Sequence, residues 1–366
     1  MQRIVIKIGT STLTDGLAKL SLARMADLVR QMSLLQNSGS EIVLVSSGAI
    51  TAGREVLGYV ELPKHIPKKQ MLAAIGQPRL MAIYEQLFRI YEKTVAQVLL
   101  TRVDLSDRRR FLNARNTLEA LLRQQVIPII NENDTVATEE IRFGDNDNLS
   151  AQVANLVEAD RLILLTDQEG LFTSDPRTDK VAKLIREVGP EEFSEELWKS
   201  AGGSKSGFGT GGMLTKLRAA ELARQSGVLT SIVNGKAEAI ILRVANYENI
   251  GTTIYPITNK LESKKRYLLA GQYSTLALTI DDGAARAIAK GGSLLPAGIL
   301  TVTGPFDRGD SIKVLDKNNK AIAVGLANYS NDEVSRVLGF KSMEIEAILG
   351  YSYGDEVIHH NNLVLL

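Results

Sequence analysis

Apolar and polar positions over the first 250 residues follow two alternating rhythms. Short β-branched runs, nearly continuous in apolar residues, occupy 4–8, 42–46, 94–100, 126–130, 162–165 and 229–233. Runs of that kind predict strands buried on both faces. Between them, apolar residues recur at helical spacing around 21–37, 68–92, 107–124, 148–158 and 213–226. Strands alternating with amphipathic helices predict an α/β domain with a mostly parallel sheet sandwiched by helices. Such sheets bind ligands beyond the carboxyl ends of their strands, so the strand-end loops carry the functional question.

The rhythm changes near residue 255. A charged, proline-led stretch, PITNKLESKKR (256–266), is followed by short strands, turns such as GPFDRGD (304–310) and two short helical patterns near 331–350. The expected organisation is a first domain over 1–258, a linker over 259–266 and a small, mostly β domain over 267–366. A chain of 366 residues suits two domains.

Composition narrows the chemistry. Cysteine is absent, which removes disulfides, thiolate metal sites and cysteine nucleophiles, and the three histidines (65, 359, 360) are too scattered for a histidine metal centre. With 43 basic and 42 acidic residues the formal charge is +1, so no global field recruits nucleic acid or membrane. No secretory segment or 18-residue apolar span occurs, and the expectation is a soluble cytoplasmic protein.

The strand ends share a recipe of apolar strand, small or polar residues, then helix. In IVIKIGTS, Lys7 interrupts a strand expected to be buried, which is costly unless an anion meets it. VLVSSGAI ends its strand in Ser46-Ser47-Gly48, ready to receive a carboxylate or phosphate at a helix start. VIPIINENDTV places Asn131, Glu132, Asn133 and Asp134 past another strand. Acids of such a cluster suit a ligand's ammonium group and amides its carboxylate. LILLTDQEG ends at Thr166-Asp167, and GFGTGGMLTK leads a glycine-rich stretch into a helix carrying Lys216, as a phosphate site would.

The stretch FGDNDNLSAQVANLVEADR (143–161) sets four short polar residues, 145–148, before an apolar helix. Capping needs only one of them, and the glycine and glutamate of a calcium loop are missing at its sixth and twelfth positions. The dinucleotide pattern formed by Gly207, Gly209 and Gly212 follows AGGSKS where a strand is required, and no G-K-[ST] occurs.

In this order, KIGTS, VSSGAI, INEND, GDNDNLSA, LLTDQEGL and GTGGMLTK resemble the amino acid kinase family. Within it they resemble the branch that phosphorylates the glutamate side chain at the start of proline synthesis, and the tail resembles the PUA domain that some members carry. The resemblance implies transfer of the γ-phosphoryl group of ATP, with Mg²⁺, to the side-chain carboxylate of glutamate. It implies that Lys7 and Lys216 contact the ATP phosphates and that Asp147 lies between the two lysines and holds them. Ser47, Asp134 and Asn146 would bind glutamate, with Asp145 near its ammonium group. Thr166, Asp167 and the run Thr210, Gly211, Gly212, Met213, Leu214, Thr215 and Lys216 would line the nucleotide site. Direct metal ligands are not legible.

The resemblance also implies feedback inhibition by L-proline, homo-oligomer formation and hand-over of product to glutamyl phosphate reductase. Three rivals frame this reading. A nicotinamide dehydrogenase needs its glycine pattern after a strand. An RNA-binding protein fits the PUA resemblance, but 267–366 holds 8 basic against 11 acidic residues, a net of −3, which argues against a phosphate-backbone footprint. Kinases of the same family acting on acetylglutamate, aspartate or UMP would lack the INEND and GDNDN pair.

Overall fold

The computed structural model describes residues 2–58, 65–137, 146–191, 193–202, 212–257, 259 and 276–366. The chain divides into two compact units, 1–106 with 114–260 and 107–113 with 261–366.

The first unit runs β1 (Arg3–Ile8), α1 (Thr10–Thr14), α2 (Leu22–Asn37), β2 (Glu41–Ser46), α3 (Ala49–Val56), α4 (Ile66–Arg89), β3 (Val95–Leu100), α5 (Arg102–Ser106), α6 (Arg108–Arg123), β4 (Ile127–Glu132), α7 (Asn146–Leu156), β5 (Arg161–Thr166), β6 (Glu187–Val188), α8 (Glu195–Ser200), α9 (Met213–Gln225), β7 (Leu229–Asn234), α10 (Ile240–Ala245) and β8 (Thr252–Ile254). Its eight strands among the described residues lie in the order β3-β4-β2-β1-β5-β7-β8-β6. Every neighbouring pair is parallel except β7–β8. The expected mostly parallel sheet is present, and all six strands anticipated from apolar runs belong to it.

Strand β1 lies mid-sheet, paired in parallel with β2 on one side and β5 on the other. The chain moves from β1 to β2 and returns across the sheet for β5, so the connections diverge here and open the crevice where such sheets bind ligands. Ile4, Ile6 and Ile8 of β1 pack in one core with Ile42 and Leu44 of β2, Ile163 and Leu165 of β5, and helices α2 and α4.

Helices α3 and α4 meet backbone to backbone. A Cβ on Gly53 would lie 2.0 Å from the Leu72 carbonyl oxygen, and one on Gly76 1.8 Å from that of Ala49. Only glycine permits so close a crossing.

The second unit carries β9 (Ala277–Ile280), α11 (Asp282–Ala289), β10 (Ile299–Thr303), β11 (Ser311–Leu315), β12 (Ala321–Leu326), α12 (Asn331–Val337), α13 (Ile345–Leu349) and β13 (Leu363–Leu365). Its sheet has the order β10-β9-β11-β12-β13, antiparallel except for β9–β11. A capping box between Ser330 and Glu333 starts α12. The mostly β character expected of the tail is present. Residues 107–113, which hold the start of α6, group with this unit, and Leu112 packs among Val324, Leu326 and Val364. The expected linker, 259–266, lies outside the described residues except for Asn259.

Candidate active site

The carboxyl ends of β1, β2, β4 and β5 and the first turns of α7 and α9 gather the polar residues singled out by their motifs. Lys7 is the penultimate residue of β1, in register with Val45 of β2 and Leu164 of β5. Such a position leaves its ammonium group little water, and Lys7 is only 6% exposed. Asp147, 4% exposed on the first turn of α7, supplies the counter-charge: its Oδ1 lies 2.6 Å from Lys7 Nζ. Its Oδ2 lies 3.2 Å from Lys216 Nζ on α9 and accepts the Thr215 hydroxyl at 2.6 Å.

Burial alone would raise the Asp147 carboxyl, but Lys7 and Lys216 outweigh it and hold the group well below the usual carboxylate range. Lys216 shifts down, because burial and Lys7 together outweigh Asp147. Two cations around one anion leave a net positive charge in a low-dielectric setting, which favours a polyanionic ligand.

A second cluster, of amides, adjoins the first. Asn146, beside Asp147 in sequence, donates from Nδ2 to Ser47 Oγ at 2.9 Å, to Asn131 Oδ1 at 3.0 Å and to the Ser46 carbonyl at 3.3 Å. Asp134 follows on the turn after β4, where burial pushes its carboxyl up to about 6. Burial penalises the ionised form, and a ligand's ammonium group would relieve that penalty.

On the other flank Thr166 ends β5, buried, while Asp167 is exposed and accepts the Thr166 hydroxyl at 3.2 Å. Gly212 leads into α9 with φ of 84° and open space around it, a conformation that suits glycine. Leu214 is buried, and Met213 is half-buried. Lys7, Asp147, Thr215 and Lys216 therefore meet in one cluster, and Ser47 and Asn146 in its neighbour. Asp145, Thr210 and Gly211 lie outside the described residues. The motifs did not single out Asn131 as a site residue, nor Gln77 and Tyr84 of α4, although all three are bonded to these strand ends. Among the described residues no group of three or more acidic or histidine side chains converges as a metal cage. The oxygens of Asp147 are engaged by lysines and a hydroxyl, so that carboxylate does not fit a metal-ligand role here.

Comparison with known proteins decides the family. The amino acid kinase family profile matches residues 2–234. This chain belongs to the amino acid kinase family. A PUA domain profile matches 277–349. The protein called glutamate 5-kinase in Caldanaerobacter subterraneus subsp. tengcongensis is 53% identical over 365 residues, covering 100% of this chain and 98% of that one. The glutamate 5-kinase of Shewanella oneidensis is 51% identical over 366 residues, with the same coverage. That of Dehalococcoides mccartyi is 52% identical over 369 residues, again covering 100% and 98%. In this chain α7 contributes consecutive residues, Asn146 to the amides and Asp147 to the lysines.

Proposed function

We propose that the chain phosphorylates the side-chain carboxylate of L-glutamate with ATP, giving L-glutamyl 5-phosphate for proline synthesis. The observation that carries this reading is the buried Lys7–Asp147–Lys216 ion triad beside the amide cluster, in a chain about half identical to glutamate 5-kinases over its whole length.

A side-chain carboxylate, with a pKa of about 4.3, is already an ionised nucleophile at neutral pH. It needs no general base, in keeping with a cluster whose central carboxylate, Asp147, is held ionised by two lysines. A carboxylate oxygen forms a bond to the γ-phosphorus as the bond from that phosphorus to the bridging oxygen breaks, and ADP carries away the electron pair. The obstacle is repulsion between an anion and a polyanion, so positioning and positive charge supply most of the catalysis. Lys7 and Lys216 would neutralise the transferring phosphoryl group. Asp147 would keep both lysines protonated and aimed.

Ser47, Asn146, Asp134 and Asp145 would hold glutamate, with the acids toward its ammonium group. Thr166, Asp167 and 210–216 would line the nucleotide site. Mg²⁺ would arrive on the ATP phosphates and screen their charge. The kinase activity would reside in 1–258, and the PUA domain would serve assembly or regulation.

L-Proline would compete for the glutamate site, since it shares the α-carboxylate and presents a ring ammonium group. The acyl phosphate is hydrolytically labile, which favours hand-over to glutamyl phosphate reductase. A homo-oligomer in the cytoplasm completes the reading, and no helix among the described residues is long and apolar enough to cross a membrane. The test is hydroxamate formation from L-glutamate, ATP, Mg²⁺ and hydroxylamine. Turnover of N-acetylglutamate equal to that of glutamate would refute the substrate, and indifference to millimolar proline would refute feedback control alone.

A further inference from the structure

We propose that Gln77, on α4, is a positioning residue of the glutamate pocket, the end of an amide relay that dictates which atom of Asn146 faces the substrate. The inference rests on the pocket proposed above and names a residue that acts through it.

Backbone chemistry sets the direction of the relay. The Glu132 N–H can only donate, and it donates to Asn131 Oδ1 at 2.9 Å. Asn131 must therefore turn its Nδ2 the other way, where it donates to Gln77 Oε1 at 2.8 Å. The same Asn131 Oδ1 accepts Asn146 Nδ2 at 3.0 Å, so Asn146 directs its NH₂ group inward, toward Asn131, Ser47 and the Ser46 carbonyl. Its Oδ1 carries no hydrogen bond among the described residues. That oxygen is left to accept from a ligand, and an ammonium group is the matching donor.

Gln77 bears a cost for closing the relay. With Oε1 engaged by Asn131, its Nε2 is buried without an acceptor among the described residues. Turning the amide over would set one NH₂ group against another at Asn131, so the orphaned donor is the lesser penalty.

The helix is braced at this point. Gly76, the preceding residue, abuts the α3 backbone at Ala49 and Gly53. Seven residues on, and so on the same face, Tyr84 hydrogen-bonds Ser46 Oγ at 2.8 Å. One face of α4 therefore reaches the ends of both β4 and β2. Gln77 also precedes Pro78 inside the helix, a position where local preference disfavours helical geometry. Local rules tend to be broken where function demands it.

The test is Gln77→Leu in the full chain, with KM for each substrate, kcat and Tm measured together. Loss of the relay should raise KM for L-glutamate about tenfold and leave KM for ATP and saturated kcat within about twofold, the pattern of lost ground-state binding. Combining it with Asn131→Leu should add little further to KM, since both cut the same relay. Phe88→Leu, a core truncation in α4 beyond the relay, should lower Tm without moving KM for glutamate. If Gln77→Leu does not fold, Gln77→Met, unbranched and of similar reach, is measured against the same expectations.

An unchanged glutamate KM in the folded variant would overturn the relay, as would a matching rise in KM for ATP. Ser47→Ala and Asn146→Ala separate this failure from that of the pocket itself. If those two variants leave glutamate KM unmoved, the pocket reading fails. If they raise it while Gln77→Leu does not, only the relay fails.

Discussion

Replacing Asp147 with asparagine removes one charge and almost no volume. Its side chain is 5% exposed, with Lys7 Nζ at 2.6 Å and Lys216 Nζ at 3.2 Å. At an effective dielectric near 20, unit charges about 3 Å apart attract by about 5 kcal/mol before desolvation is subtracted. Removing the anion leaves two buried cations facing each other, and breaking a buried pair in this way costs about 3–5 kcal/mol. The cheapest escape is for Lys216, already shifted down by burial and Lys7, to release its proton. The transition state would then lose one charge donor, and kcat should fall by about two orders of magnitude.

Hydroxamate formation measures kcat, and circular dichroism establishes that the variant is folded. The pH dependence adds a signature. Because Lys216 loses the neighbour that holds its proton, kcat of the variant should decline more steeply than that of the parent as pH rises. ATP supplies replacement anions and should raise Tm by more in the variant than in the parent. A folded Asp147→Asn protein with parental kcat would refute the reasoning and reduce Asp147 to a helix-terminal residue.

Lys7→Ala and Lys216→Ala should each lower kcat by about a hundredfold or more, read in the same assay. Burial raises Asp134 so that it ionises only above about 6. Its ionised form is disfavoured by folding and favoured by a bound ammonium group, so glutamate KM should climb as pH falls through that value, and Asp134→Asn should abolish this limb. Gly76→Ala would put a Cβ 1.8 Å from the Ala49 carbonyl oxygen, and a loss of more than about 1–3 kcal/mol is expected by denaturant melt. Ending the chain after Asn259 strips Val324, Leu326 and Val364 from fully buried Leu112, at a cost of about 1.5–3 kcal/mol. Adding Leu112→Gln should restore solubility with hydroxamate formation intact, and a folded, ATP-binding but inactive fragment would show that the second unit completes the site.

The parallel strands were legible because burial on both faces makes each a continuous apolar run, and Lys7 stood out as the residue that broke one. The gathering of motifs beyond the strand ends followed from the architecture once the strands were placed. The start of helix α3 after Ser46-Ser47-Gly48 was legible, but its extent was not, since its contact with α4 is made largely by backbone at Gly53 and Gly76. The short elements α1, β6 and β8 lack the length for a period to show. Gln77 escaped because an amide in an amphipathic helix reads as solvent-facing. Its neighbours Gly76 and Pro78, both poor helix formers, were the available signal. Asn131 was read as one of a polar cluster, and its burial at the end of β4 and the direction of its hydrogen bonds separate it from the half-buried Asn133.

Strand β1, at the middle of the main sheet, is synthesised before both of its neighbours. Ile4 pairs with Ile42 on one side and with Arg161 on the other, so β1 leaves the ribosome well before its second neighbour exists. Until then one edge of an apolar strand has no partner, and the charge on Lys7 awaits an aspartate encoded much later. Long-range closure of this kind is slow and exposes sticky edges. The first unit should therefore acquire its sheet late and cooperatively, with the Lys7–Asp147–Lys216 ion triad among the last contacts to form. Nascent chains arrested before α9 should remain protease-sensitive throughout β1.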